Sequence, residues 1–386
     1  MQWMISINEL GAQQARILDA VSTDIENTHW IAGYAGTGKT VVITHAIERL
    51  VVRTRNANIC FLTYTHALKD LVYSGLSKKA SSRITIETID TFLSGRNLYD
   101  YILVDEIQDV TESAIKKIFL RTKHVIAAGD PDQSIYLGRV DPTSLRQLLG
   151  GARKHTLKHI QRLSLKTFQL ATSILPEAEI VKGAEVRGDG NNGKIIKGIS
   201  KKDEFLKVYA EAFRVSSLEQ PSAILFPTHD QIHAFASIVA DANGWDQPPK
   251  REELGRITSY EAFNEFFLNR NAALRFLGSN NGSLPESDEK RIVYLMTYQS
   301  SKGLDFNNVF LPDLCSANEV RLDAKWRHFS NEENERRHFF VAITRSKENI
   351  YFSYHGEKHS LIDQLPDECL EDFVAPKATF RRKREA

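Results

Sequence analysis

Eight residues near the N-terminus, GYAGTGKT from Gly33 to Thr40, have the spacing of a phosphate-binding loop. Gly33, Gly36 and Gly38 permit the close backbone approach and the positive φ angles with which successive N–H groups surround phosphate oxygens. In this pattern the ammonium group of Lys39 reaches the β- and γ-phosphates, and the hydroxyl of Thr40 binds Mg²⁺. The stretch therefore predicts a nucleotide site.

Two adjacent carboxylates, Asp105 and Glu106, follow an apolar segment at residues 101–104. Asp105 is a candidate Mg²⁺ ligand, and Glu106 is a candidate general base for an attacking water molecule. Two acids after a strand can also cap a helix, but beside a phosphate loop they favour phosphoryl transfer to water. Gln133, in the later stretch GDPDQSIY, can hydrogen-bond both that water and a γ-phosphate.

The elements that would position these residues alternate between apolar strands and amphipathic helices. Strands are predicted near 30–32, 59–63, 83–86, 101–104 and 124–128, and then near 223–226, 292–296, 309–311 and 350–352. Helical spacing covers 7–21 and 41–52, and the first of these helices contains Gln14, a candidate for reading a base edge. This alternation predicts an α/β fold whose strands present ligand groups at their carboxyl ends.

Three segments follow from this pattern. We predict a first domain at 1–150 that ends at a Gly-Gly pair, and a second domain at 151–375. The second domain would contain a short insertion at 244–288 with one helix around 260–276. Residues 376–386 form a basic tail, for which a solvated surface is the simpler interpretation.

Composition excludes few functions. Lys plus Arg number 50 against 49 Asp plus Glu, so net charge neither indicates nor excludes nucleic-acid binding. The three cysteines, Cys60, Cys315 and Cys369, are far apart, which argues against zinc, an iron–sulfur cluster or a disulfide framework and suits a reducing cytosol. No apolar run is long enough to span a membrane. A cytoplasmic protein without a membrane partner is therefore expected.

Two later stretches also contain polar side chains with possible functional roles, TYQSSKGLDF at 297–306 and FFVAITRSK at 339–347. The second is predicted to place Thr344 and Arg345 on an apolar helix. An arginine there is either a surface residue or a guanidinium that reaches a phosphate across a cleft.

Together, GYAGTGKT, DEIQD, GDPDQSIY, TYQSSKGLDF and VAITRSK resemble, in order and spacing, the motifs of the UvrD/Rep-like superfamily 1 helicases. The resemblance covers almost the whole chain. It implies two RecA-like P-loop domains with ATP in the cleft between them, and ATP hydrolysis with Mg²⁺ coupled to 3′→5′ movement on single-stranded DNA. By this resemblance Arg345 is the arginine finger and Arg162 a second arginine at the γ-phosphate.

The resemblance assigns four groups of residues. The catalytic group is Lys39, Glu106, Gln133, Arg162 and Arg345. The nucleotide contacts are Gln14, Gly33, Gly36, Thr37, Gly38, Lys39, Thr40, Val41 and Asp305. The Mg²⁺ ligands are Thr40 and Asp105. The DNA contacts are Thr63, His66, Thr88, Phe92, Tyr136, Thr297 and Gln299.

The chain departs from the family pattern in four places. Only a short connection joins the strands ending at Thr63 and near Thr88, where the family inserts an accessory domain, so a short form is predicted. Gly138 stands where the family has an aromatic residue on which a DNA base stacks, which puts the binding of the DNA strand in doubt. Gln161 stands where the family has the tyrosine that stacks on adenine, and Val41 stands where it has the arginine after the phosphate loop. Adenine selectivity would therefore depend more on Gln14. Gln299 also replaces a usual histidine.

Two functions remain open from the sequence. The first is an ATP-dependent translocase or helicase acting on single-stranded or tailed duplex DNA. The second is an ATPase regulatory subunit that gates a partner such as a nuclease in response to DNA, with little unwinding of its own.

Overall fold

A computed structural model describes residues 4–63, 66–131, 139–176, 184–254, 257–278, 291–318 and 331–376. The chain divides into two compact units. The first comprises Gln2–Arg162 with Glu177–Arg187, and the second comprises Leu163–Pro176 with Gly188–Ala386. The first unit extends past the predicted boundary at residue 150 because the segment at 153–157 adds a strand to its sheet.

The first unit is an α/β layer structure around one six-stranded sheet. Its helices are α1 (Ala12–Thr23), α2 (Lys39–Arg53), α3 (His66–Gly75), α4 (Lys78–Ser81), α5 (Ile89–Ser94), α6 (Glu112–Leu120) and α7 (Pro142–Leu148). Its strands are β1 (His29–Gly33), β2 (Ile59–Thr63), β3 (Ile84–Thr88), β4 (Tyr101–Val104), β5 (His124–Ala128) and β6 (Arg153–Leu157). A separate two-stranded sheet contains β7 (His159–Ser164), which spans the division between the units, and β8 (Glu185–Arg187).

The order across the large sheet is β3-β2-β4-β5-β1-β6, and every neighbouring pair is parallel. Strands β1, β2 and β4 are buried along their whole length because apolar clusters cover both faces. Phe61 and Leu103 belong to the cluster on one face, and Leu62 and Val104 to the cluster on the other. Buried parallel strands of this kind have near-continuous apolar sequences, which is why the sequence predicts them.

The second unit is built on a seven-stranded sheet, ordered β13-β14-β10-β15-β16-β9-β17, with all neighbours parallel. The strands of the whole second unit, including β11 and β12 outside this sheet, are β9 (Gly193–Gly198), β10 (Ser222–Phe226), β11 (Glu252–Leu254), β12 (Ile257–Ser259), β13 (Leu274–Phe276), β14 (Val293–Thr297), β15 (Phe306–Leu311), β16 (Ser346–His355) and β17 (Leu370–Asp372). Its helices are α8 (Leu165–Ile174), α9 (Lys201–Val215), α10 (His229–Ala242), α11 (Glu261–Leu268), α12 (Asn331–Ile343) and α13 (Ser360–Asp363). The predicted α/β class is thus confirmed in both units.

Two local predictions are wrong. The helix expected around 260–276 ends at Leu268, and the chain then forms the edge strand β13 beside β14. The apolar pattern of this segment continues past the end of the helix because Leu274 and Phe276 lie in the core of the sheet. Helix α12 ends at Ile343, so Thr344 and Arg345 lie in the turn before β16 and not on the helix.

None of the helices in the described part of the chain combines the length and the apolar character needed to cross a membrane.

Candidate active site

The loop from Gly33 to Thr40 joins the carboxyl end of β1 to the N-terminus of α2. Gly36 and Gly38 have φ angles of 79° and 83°, which are left-handed values that suit glycine. At Gly33 a Cβ atom would lie 2.7 Å from Thr37 Oγ1 and 2.9 Å from the Cβ of Leu157. The backbone therefore turns tightly at the end of a buried strand, with the partial positive charge of a helix N-terminus directly behind it.

The lysine ammonium group and a threonine hydroxyl of the loop are already positioned by the protein. Lys39 Nζ donates to the carbonyl oxygens of Gly33 at 2.7 Å and Tyr34 at 3.2 Å, and the residue is 7% exposed. Thr37 Oγ1 donates to Tyr34 O at 2.8 Å, so it holds the loop closed from inside. The ammonium group thus lies over the loop, where phosphate oxygens can replace the two carbonyls.

Asp105 lies directly after β4, and Thr40 Oγ1 donates to its Oδ2 at 2.6 Å. The carboxyl group is buried, and burial together with the neighbouring charge of Glu106 raises the pKa of Asp105 to about 6. A buried carboxylate is destabilised unless a cation compensates its charge. Threonine hydroxyl and carboxylate oxygens are the hard ligands that Mg²⁺ prefers, so this pair fits the predicted metal site.

Glu106 has an unusual backbone conformation, with φ 53° and ψ 47°. A residue other than glycine rarely adopts left-handed values, and such strain is often found at functional sites. The side chain accepts a hydrogen bond from Gln108 Nε2, and Gln108 Oε1 in turn accepts one from Asp130 N at 3.1 Å. The half-buried carboxylate of Glu106 is therefore held by a neighbour that is itself fully buried.

Gln108 is a positioning residue that was not predicted from the sequence. In the sequence it is visible only as the fourth residue of DEIQD, and its role depends on a contact with Asp130, 22 residues away. Gly129 contributes as well, because a Cβ atom there would come within 2.2 Å of Gln108 Oε1. The glycine that opens GDPDQSIY thus leaves the space in which this amide lies.

Gln14 braces the phosphate loop through its side-chain amide and is 2% exposed. Its Nε2 donates to Thr37 O at 3.0 Å. Its Oε1 accepts from Gly11 N and from Gln161 Nε2, both at 3.0 Å. Gln161 contacts the loop a second time, through a backbone bond from its N to Gly36 O at 3.1 Å. An amide oxygen has two lone pairs, and both are used here.

Two other candidates of the first unit adjoin these residues in the sequence. Val41 is half-buried in the first turn of α2, and Arg162 is half-buried on β7. Gln133 and Tyr136 fall in 132–138, outside the described residues.

In the second unit, Arg345 is 4% exposed and its guanidinium is held by the unit's own chain. Nε donates to Val341 O at 3.0 Å, one terminal nitrogen to Leu304 O at 3.1 Å, and the other to Thr344 Oγ1 at 2.9 Å. Asp305 forms an ion pair with Lys347 Nζ at 3.0 Å. These contacts fix the side-chain directions of both predicted nucleotide residues of this unit.

The predicted DNA contacts at the strand ends of the first unit differ in accessibility. Thr63 is fully buried, and none of the described residues hydrogen-bonds its hydroxyl. Thr88 caps α5 by accepting from Thr91 N at 3.4 Å. Phe92 is 2% exposed and packs against Tyr99, so contact with DNA would require its ring to leave the core. His66 begins α3, and its side chain is outside the described part.

In the second unit, the other two predicted DNA contacts follow β14 directly. Thr297 Oγ1 accepts a bond from Ser300 N at 3.0 Å, which forms a tight turn at the strand end. Gln299 is exposed, and its Nε2 lies 3.1 Å from His338 Nε2 on α12. Gln299 thus presents an amide at the carboxyl edge of the sheet.

Comparison with known proteins identifies the family. A profile described as an AAA domain matches residues 17–139, and one described as the UvrD-like helicase C-terminal domain matches 228–357. A segment of 97 residues is 36% identical to the ATP-dependent DNA helicase Rep of Buchnera aphidicola, covering 24% of this chain and 14% of that protein. A segment of 156 residues is 26% identical to DNA helicase II of Haemophilus influenzae, covering 37% of this chain and 19% of that protein.

These matches support a UvrD/Rep-like superfamily 1 helicase. The matched segments span less than a fifth of the length of these two relatives. Among solved structures, the crystal structure of Arterivirus nonstructural protein 10 (helicase) aligns with 93% of this chain and 66% of its own at 14% identity and a TM-score of 0.44.

The AAA profile includes the phosphate loop and both acids of DEIQD. The C-terminal profile of the family includes Thr297, Gln299, Asp305 and Arg345. The individual roles of these residues remain predictions.

Proposed function

We propose that this UvrD/Rep-like chain is an ATP-dependent single-stranded DNA translocase or helicase that hydrolyses ATP with Mg²⁺ and moves 3′→5′. The observation that carries the proposal is the joint arrangement of the phosphate loop and the acidic pair. The Thr40–Asp105 hydrogen bond of 2.6 Å ties the first helical turn after the loop to the acid that follows β4. The names of the Rep and helicase II relatives agree with DNA as the substrate.

In the proposed reaction each residue of the loop has a separate task. Lys39 exchanges the carbonyls of Gly33 and Tyr34 for β- and γ-phosphate oxygens, which form stronger, charge-assisted bonds. Thr40 and Asp105 would hold Mg²⁺, which when bound supplies positive charge to the phosphates. Glu106, positioned by Gln108, orients the attacking water and accepts its proton.

Arg345 and Arg162 are proposed to complete the site with charge-assisted contacts to the γ-phosphate. Three bonds of the Arg345 guanidinium go to neutral oxygen atoms, those of Val341, Leu304 and Thr344. Phosphate oxygens are stronger acceptors, so bound ATP can compete for the same nitrogens. Hydrolysis and phosphate release would then remove the contact, and this cycle can drive movement on DNA.

The test compares ATP hydrolysis with and without single-stranded DNA, followed by displacement of a labelled strand from 3′-tailed and 5′-tailed duplexes. Stimulated hydrolysis with displacement from the 3′-tailed duplex alone is the expected result. Lys39→Ala serves as the control, because it removes the phosphate-binding ammonium group. Hydrolysis that does not respond to DNA would refute the motor function, and displacement from the 5′-tailed duplex alone would refute the polarity.

A second candidate is a regulatory ATPase that gates a partner, such as a nuclease, in response to DNA. It is favoured by the short connection between β2 and β3, whose described residues form only α3 and α4. DNA-stimulated hydrolysis without displacement from any tailed duplex would select this candidate over the helicase.

A further inference from the structure

Four potential metal-ligating side chains meet in the second unit, remote in sequence from the phosphate loop. Glu204 comes from α9, Asp313 and Cys315 follow β15, and His355 ends β16. One ligand atom from each lies within 4.8 Å of the others. Glu204, Asp313 and Cys315 are buried, and His355 is partly exposed.

The distances within this cluster suit a small tetrahedral ion. Cys315 Sγ lies 3.2 Å from His355 Nδ1 and 4.0 Å from Asp313 Oδ1, and His355 Nδ1 lies 3.9 Å from Asp313 Oδ1. Ligand atoms bound at Zn²⁺ distances in a tetrahedron are about 3.3–3.8 Å apart. The contacts of 3.2, 3.9 and 4.0 Å lie just outside that range. Glu204 Oε2 lies much closer to His355 Nδ1, at 2.6 Å, in a hydrogen bond that would open when both atoms bind one ion.

Each carboxylate of the cluster has one oxygen held by surrounding groups and the other directed inward. Glu204 Oε1 accepts from Ser353 Oγ at 2.6 Å and from Asp313 N at 2.7 Å, which leaves Oε2 toward the imidazole. Asp313 Oδ2 accepts from Lys201 Nζ at 2.8 Å and from Gln231 Nε2 at 3.2 Å. Outer hydrogen bonds of this kind orient the ligands of protein metal sites.

The inward oxygen of Asp313 has only long contacts within the cluster. Oδ1 accepts a hydrogen bond from the Cys315 thiol at 4.0 Å, and His355 Nδ1 lies 3.9 Å from it, beyond the length of an N–H···O bond. The side chain of Asp313 is 0% exposed. A buried carboxylate is stabilised by a compensating cation, and an ion at the centre of the cluster would contact this oxygen directly.

Charge also balances around a divalent ion. Two carboxylates and a thiolate carry three negative charges, whereas Zn²⁺ and the Lys201 ammonium group carry three positive charges. The alternative arrangement, an ion pair of His355 with Glu204, leaves Cys315 as a neutral thiol whose long hydrogen bond of 4.0 Å reaches the inward oxygen of Asp313.

We propose that Glu204, Asp313, Cys315 and His355 form a structural site for Zn²⁺ or a similar transition-metal ion. Mixed sulfur, nitrogen and oxygen ligands select such an ion over Mg²⁺. The ion would join α9 to the segment after β15 and the end of β16, which already exchange backbone bonds such as Leu314 N to Ser353 O at 3.0 Å. This site is independent of the proposed function of the phosphate loop.

Metal content and Co²⁺ spectroscopy on the full chain test the site. The purified protein is expected to carry Zn²⁺ in equal amount to the chain, and after chelation Co²⁺ should produce a thiolate charge-transfer band with strong tetrahedral visible bands. The band reports sulfur, so ions at Thr40 and Asp105 do not contribute to it. Zn²⁺ added to the metal-free protein should raise its melting temperature.

Three variants test whether these four side chains hold the ion. Cys315→Ala should lose the charge-transfer band and the Zn²⁺, whereas Cys369→Ala, which removes another buried thiol, should keep both. If Cys315→Ala does not fold, His355→Gln, at a partly exposed position, should weaken Co²⁺ binding by at least tenfold. Absence of the band in the wild-type protein, or its persistence in Cys315→Ala, would overturn the proposal.

Discussion

Replacing Asp105 by asparagine should stabilise the metal-free protein while abolishing its ATPase activity. Burial and the adjacent Glu106 raise the pKa of Asp105 from its ordinary value of 3.8 to about 6. At neutral pH the protein therefore folds around a charged group that its surroundings disfavour. Asparagine has the same shape without the charge: its Oδ1 can still accept from Glu106 N, and its Nδ2 can donate to Thr40 Oγ1, whose hydroxyl then acts as the acceptor.

The magnitude follows from the two pKa values. A change from 3.8 to about 6 corresponds to about 3 kcal/mol at pH 7.5, at about 1.4 kcal/mol for each tenfold change in the ionisation constant. Because the pKa is higher in the folded state, the stability of the neutral carboxyl is fully present below about pH 3.8 and lost as the pH rises through about 6. The advantage of Asp105→Asn should therefore fall to about half at pH 5.

Urea unfolding in EDTA, at pH 7.5 and at pH 5, measures this difference in the free energy of unfolding. Asp70→Asn is the matched control, since Asp70 is an exposed carboxylate on α3 and should show no gain. Adding Mg²⁺ with a non-hydrolysable ATP analogue should stabilise the wild-type protein more than the Asp105→Asn variant. A variant that is no more stable than the wild type in EDTA, or whose gain does not depend on pH, would refute this account of the acidic pair.

Three further predictions concern the nucleotide. Glu106→Gln should lower kcat by about 10²–10⁴-fold in a steady-state ATPase assay and still bind ATP and DNA in filter binding; near-normal turnover would assign the base elsewhere. Arg345→Ala should lower turnover by about 10³-fold or more, and Arg345→Lys should not restore it fully. A loss below tenfold in a folded variant would refute the assignment of Arg345 as the arginine finger. Gln161→Ala frees one lone pair of Gln14 Oε1. The ratio of kcat/KM for ATP to that for GTP should therefore rise by about fivefold, which corresponds to one hydrogen bond of about 1 kcal/mol. An unchanged ratio would show that Gln14 does not contact the base.

The strands that the sequence predicts are those buried on both faces. Tyr101–Val104 and His124–Ala128 are recognisable because a central parallel strand must be apolar along its length. Strand β6, with the sequence RKHTL, is an edge strand with one neighbour, β1, and its first two residues are exposed. Its basic residues indicated only a charged surface, so the first domain was predicted to end too early.

The candidate site divides in the same way. The residues predicted to touch phosphate or metal are contiguous in motifs, because a tight loop and a strand end require particular types at fixed spacing. Residues that hold them act across the chain: Gln161 reaches Gln14 over 147 positions. The cluster from Glu204 to His355 spans 151 positions. Isolated cysteines in the sequence therefore argued against zinc, although the fold brings one of them close to three other potential ligands.

The hydrogen bonds of Gln14 lead us to expect that the phosphates are better specified than the base. Adenine presents N7 as an acceptor and its exocyclic amine as a donor, whereas guanine shares N7 but replaces that amine with an acceptor oxygen. Gln14 has one N–H left for N7, since the other donates to Thr37 O. Its oxygen is saturated by Gly11 N and Gln161 Nε2 and cannot accept from the amine. On the prediction that Gln14 reads the base, the same two glutamines that brace the loop are expected to leave ATP and GTP poorly distinguished, until Gln161 releases the oxygen.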